Sequence, residues 1–262
     1  MKNLDWKKLA ILIGIIIAVI AVIVLIIKGV TGETKATKEE ATAAETIAIN
    51  NIFNLTLGYE TKYSGIDILF SKDKLTIEDI TPSLLITSAI RYAVTNDWEI
   101  TLDTYKLEQA KQLGYSLESY SPYDGETIRK AIKELYNIDF TNQSATDELN
   151  FRYNYYYIPT LDLYMKQTKS FYNSEQGFYV DYKIIETTKK GDKIMTKIAI
   201  AYVYSDGSKL TYTNDSNNNS IIFETEEETG IPDDKLESFD QFTITLKNVD
   251  GNYYFESIEK IK

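Results

Sequence analysis

The hydrophobic period of this chain changes once, and that change sets its fold class. Up to Tyr136 the apolar residues recur at helical spacing, and from Phe151 onward they alternate. Asp124 to Tyr136 reads as the clearest helix, with Ile128, Ala131, Ile132, Leu135 and Tyr136 on one face. Thr81-Pro82 starts another, with a capping hydroxyl and a proline at the first helical position. It runs to about Thr95. A helix is expected from Ala44, with Ile47, Ala48, Ile52 and Leu55 in line and Gly58 as its stop. One more is expected from Asp103 to Leu113.

After the change, Phe151, Tyr153, Tyr155 and Tyr157 share one side of a strand. Leu161, Leu163 and Met165 follow, then Phe178, Val180, Tyr182 and Ile184. Asp206-Gly207 and Asp250-Gly251 are tight-turn pairs between further alternating runs. The expectation is an α+β fold, with a helical region (44–140) packed on a curved antiparallel sheet (141–262). A small, charged stretch (29–43) reads as a flexible linker.

Ahead of this domain lies an uncharged apolar run of 19 residues, Leu9 to Ile27, between Lys7-Lys8 and Lys28. As a helix it would measure roughly 28 Å, close to the hydrocarbon thickness of a bilayer. It is longer than the apolar region of a cleaved signal peptide. The predicted order is a cytoplasmic tail (1–8), a transmembrane helix (9–28) and an outer domain. The basic tail places the N-terminus inside. Lys2, Lys7, Lys8 and Lys28 against Asp5 leave +3 in this part, so with a net charge of −11 the outer residues carry −14.

Composition removes several chemistries. The chain has no Cys and no His. Disulfides, thiolate nucleophiles, zinc-thiolate sites and Ser-His-Asp catalysis are therefore excluded. The acidic outer part lacks a nucleic-acid footprint, and no cofactor is expected. Remaining catalysis would need carboxylates, Lys, Tyr, Ser or an oxygen-ligated metal, and no motif singles out a carboxylate pair or a Ser-Lys pair.

Two candidate sites follow. Tyr153, Tyr155 and Tyr157 would stack on sugar rings if exposed, and would be core if buried. Asp215, Asn217, Asn219 and Glu226 fit positions of a calcium loop, with Ser220 where that loop needs glycine. A solvated Asn-rich loop is the other reading of that segment, and no metal is assigned to it.

Asp250-Gly251-Asn252-Tyr253-Tyr254-Phe255-Glu256-Ser257-Ile258-Glu259-Lys260, with the helix Thr127 to Tyr136 before it, resembles uncharacterised single-anchor extracytoplasmic proteins of Gram-positive bacteria. The strand order also resembles curved-sheet folds of the NTF2-like or cystatin-like kind. The resemblance implies topology, not an activity. The expected function is a non-catalytic binding or interaction domain held to the lipid bilayer, facing a cell-wall polymer or a membrane protein partner. A cell-envelope hydrolase and a subunit of a membrane assembly are the alternatives.

Overall fold

Two antiparallel sheets share a layer of helices in the computed structural model, which describes residues 32–56, 73–98, 102–146, 153–168, 178–214, 220–227 and 229–261. The anchor expected over Leu9–Ile27 lies outside the described residues. Among those described, no helix is long and apolar enough to cross a membrane.

The larger sheet has eight strands. Its main path runs β1 (Thr34–Lys35), β7 (Phe178–Lys190), β8 (Lys193–Ser205), β11 (Asp240–Val249), β12 (Asn252–Lys260) and β2 (Lys74–Thr76). β9 (Leu210–Thr213) pairs with the end of β8, and β10 (Ile221–Thr225) pairs with β9. The smaller sheet has the order β3 (Ser121–Asp124), β6 (Leu163–Thr168), β5 (Tyr153–Ile158), β4 (Ala145–Thr146). The α+β class is as expected, but the single meander is not: the Tyr-rich strand belongs to a separate sheet. The division into a helical region (44–140) and a sheet region (141–262) also fails at β2 and β3. Each adds a strand from the first region to an edge of a sheet formed by the second.

β8 carries the reason the larger sheet has two covered faces. Ile194, Ile198, Ile200, Tyr202 and Tyr204 point into the main core with the helices. From Ala199 the opposite side is apolar too. Ala199, Ala201 and Val203 pack with Tyr212, Ile231 and Phe239 beneath β9 and the short helix Asp233–Ser238. The change from strict alternation to a continuous apolar run within one strand marks where the second layer begins.

The helices are α1 (Lys38–Thr56), α2 (Pro82–Thr95), α3 (Thr104–Gln112) and α4 (Gly125–Tyr136). α2 starts as expected, with Thr81 accepting from the Leu84 amide. It is buried on nearly all sides from Ser83 to Ile90. Its hydroxyls are therefore satisfied internally: Ser88 donates to the Leu85 carbonyl and accepts from Tyr136. In α4 all five residues expected on the apolar face are buried. Asp124 caps the start and Asn137, in the left-handed region at φ 54°, ends it.

The expected linker is corrected from Thr34 onward. Thr34–Lys35 pairs with Thr188–Lys189 of β7, and α1 begins at Lys38 rather than Ala44. The cause is a reciprocal cap. The Glu40 amide donates to the Thr37 hydroxyl, and the Thr37 amide donates to the Glu40 carboxylate. Glu40 also pairs with Lys189, tying this cap to the sheet.

Candidate functional site

The tyrosine stripe is structural at its centre. Tyr155 is 1% exposed, and its hydroxyl lies 2.7 Å from that of Thr87 on α2. Thr87 gives its proton to the Ser83 carbonyl, so Tyr155 donates to Thr87. Burial pushes the Tyr155 hydroxyl well above the usual tyrosine range. Tyr153 lies beneath Lys166, whose Nζ is 3.8 Å from the ring centre. Tyr157 donates to Asp162 at 2.8 Å. Tyr155 belongs to the main core, and Tyr153 and Tyr157 are half-buried against it.

Around Asp162 the structure builds a polar clasp. Arg129 of α4 grips both carboxylate oxygens at 2.8 Å. Tyr157 and Asn142 donate to the same Oδ1. The Gly125 amide, at the start of α4, donates to the Asp162 carbonyl at 2.8 Å. Asp162 stands at φ 46° in the turn between β5 and β6. The clasp therefore joins α4, that turn and the segment leading to β4. Arg129 first, then Tyr157 and Asn142, hold the Asp162 carboxyl down to about 2, against the opposing effect of desolvation. With every donor aimed at one ionised group, the arrangement orients helix and sheet.

The sign of its pH dependence follows. A carboxyl with a lowered folded-state pKa contributes stability above its ordinary value near 3.8, and that contribution is lost as pH falls toward 2. The urea midpoint should fall between about pH 4 and pH 2, more steeply in the wild type than in Asp162→Asn. Identical slopes would remove Asp162 from the acid response.

A pocket of about 440 Å³ opens where three helices meet the hairpin between β11 and β12. Ile47 of α1, Tyr92 of α2, Glu134 and Leu135 of α4, Asn96 beyond α2, and Asn252, Tyr253 and Tyr254 line it. The hairpin places its residues by local chemistry. Asp250 and Gly251 are both at positive φ, 53° and 90°, as a two-residue turn of the primed type needs. Asn248 accepts from the Gly251 amide and fastens the turn. On the opposite wall, Asn96 ends α2 and donates to the Tyr92 carbonyl at 2.8 Å.

Tyr92 donates to Glu134 at 3.1 Å, which fixes the carboxylate in the wall. Desolvation, then Glu134, raises the Tyr92 hydroxyl above its ordinary value. Trp98 stands edge-on to Tyr92 at 5.4 Å, and the Lys130 ammonium lies 4.3 Å above the Trp98 ring. Aromatic rings, two carboxamides and one carboxylate make a wall suited to hold a polar ligand.

None of these residues stood out as a site in the sequence. Leu135 was placed on the core face of its helix, and Glu134 falls on the other side of that periodicity. The signal available was the Asp-Gly turn directly before three side chains capable of ligand contact. A wider groove of about 900 Å³ beside β1 carries Glu33, Glu45 and Glu186 together with Lys35 and Lys38. It favours neither sign of charge.

Of the calcium-loop candidates, Asp215, Asn217 and Asn219 lie outside the described residues. Glu226 is exposed just beyond β10. Among the described residues no group of three or more Asp or Glu is arranged to hold a metal ion. In the acidic stretch, Glu224 pairs with Lys209 at 2.6 Å and Asp233 with Lys183 at 2.7 Å. No protein-family model, curated protein or solved structure matches this chain.

Proposed function

We propose that this chain is a single-pass membrane protein of the cell envelope, N-terminus inside, whose outer α+β domain binds an envelope polymer without altering it chemically. The pocket walled by Tyr92, Tyr253, Tyr254, Asn96, Asn252 and Glu134 is the observation that carries this reading. Tyrosine offers rigid ring area at low entropic cost, and carboxamides match the paired donors and acceptors of a sugar. The apolar run Leu9 to Ile27 supports the anchored topology. So does the resemblance to single-anchor extracytoplasmic proteins.

A hydrolase reading needs two carboxyl groups flanking one bond. Glu134 is the one carboxylate in the pocket among the described residues, which favours binding over cleavage. The binding partner is a wall glycan in the first instance. A stoichiometric membrane protein recovered with the chain would favour the assembly-subunit alternative.

Trp98 supplies the test, because the chain has only two tryptophans. With Trp6→Phe in the intact chain, tryptophan emission comes from Trp98 alone, which stands against Tyr92 of the pocket wall. Purified wall glycan should change that emission saturably. Tyr253→Ala should weaken the response roughly tenfold. An unchanged spectrum at all glycan concentrations would end the proposal.

A further inference from the structure

The proposed binding function leaves the chemistry of the ligand open, and the pocket wall narrows it. We infer that the pocket selects a sugar unit bearing a free, positively charged amine, such as an unacetylated amino sugar; this rests on the binding function proposed above. Four observations converge on that choice.

First, Glu134 is the one charged side chain lining the pocket among the described residues. It is exposed rather than sealed in the core, and the Tyr92 hydroxyl holds it in place. A bound ammonium can therefore meet it without moving the wall. Second, the surrounding rings carry their negative faces as a further attraction for a cation. The chain already uses this chemistry one ring away, where the Lys130 ammonium sits over Trp98 beside Tyr92.

Third, two neighbouring lysines are paired with other carboxylates. Lys189 pairs with Glu40, and Lys133 pairs with Asp139 at 2.9 Å. Neither lysine is needed by Glu134, which stays the one charged group in the pocket wall among the described residues. Fourth, the −14 charge of the outer residues attracts cations over longer range and repels anionic wall polymers. The carboxamides of Asn96 and Asn252 then distinguish a sugar from a bare amine, because they can bond its hydroxyls. A neutral N-acetylated unit would fill the same space but leave Glu134 without a cation.

Isothermal titration of the intact chain compares two tetrasaccharides of one skeleton, the glucosamine tetramer and its fully N-acetylated form. At about pH 6 carboxylates are ionised and sugar amines are largely protonated. The charged tetramer should bind about tenfold more tightly, and Glu134→Gln should erase the difference. Raised salt should weaken only the charged ligand. Equal affinity of the wild type for both tetramers would overturn the amine inference and leave the glycan-binding function standing. Binding of neither would overturn both. Far-ultraviolet circular dichroism of Glu134→Gln separates lost selectivity from lost fold. A selectivity that survives in a folded Glu134→Gln also overturns the assignment.

Discussion

Gly125→Ala is expected to destabilise the domain by about 2–4 kcal/mol, roughly 5–15 °C in the unfolding midpoint. A Cβ at this position would lie 2.2 Å from Asp162 Oδ1, 2.7 Å from Asn142 Nδ2 and 2.8 Å from Asp162 Cγ. An exposed carboxylate would simply swing away from such a contact. Asp162 is instead held by Arg129 at both oxygens and by Tyr157 and Asn142. Its own carbonyl accepts from Gly125, so backbone and side chain of the two residues meet at once. Accommodating a methyl group means breaking charge-assisted bonds or displacing the start of α4. A double-mutant cycle measures the cause. In an Asp162→Ala background the same alanine should cost less, since the nearest obstacle is gone and Asn142 loses the carboxylate that holds it. Strictly additive losses would show that the clash with Asp162 is not the reason.

The second large effect is at Tyr155. Tyr155→Ala should cost about 3–5 kcal/mol, as for other large core truncations, while Tyr155→Phe should cost about 1 kcal/mol for one buried hydrogen bond. The pair separates two roles for a residue that the sequence also offered as a ligand contact. The phenylalanine variant keeps the core filled and leaves the Thr87 hydroxyl with its bond to Ser83. Urea unfolding of both variants reads the result directly. A Tyr155→Ala chain of undiminished stability would contradict the burial of this side chain. If it also lost glycan affinity, the stripe would be a binding face after all.

What the sequence revealed depended on how far each signal reached. The apolar face of α4 was readable because five residues at fixed spacing all serve one core. The cap at Thr81 was readable because it acts within three residues. The box at Thr37 and Glu40 is just as local, but the surrounding small and charged residues read as a linker. Alternation gave the face of each tyrosine in β5 correctly. It carried no information about which sheet β5 would join, because β5 pairs with β6 and β4, and β6 pairs in turn with a strand as distant as Ser121. The pocket was hidden for the same reason. Tyr92, Glu134 and Tyr253 are far apart in the chain, and only the packing of α2 and α4 against the last hairpin unites them. The clasp was hidden too: Arg129 and Asp162 are 33 residues apart.

β1 is only two residues long, yet under the proposed anchoring it would govern how far the domain can stray. In the anchored topology, Lys28 ends the apolar run and Thr34 is already paired to β7. A fully extended chain covers at most ~3.5 Å per residue, so this leash reaches roughly 20 Å. If the proposed anchoring holds, a domain on so short a leash would survey a thin shell of the envelope beside its own bilayer. It would meet ligands there at a local concentration set by tether length rather than by diffusion through the wall. Releasing β1 and the cap behind it would lengthen the leash from its inner end and widen that shell. In the proposed topology, two backbone-paired residues would thus decide which layer of the envelope lies within the domain's grasp.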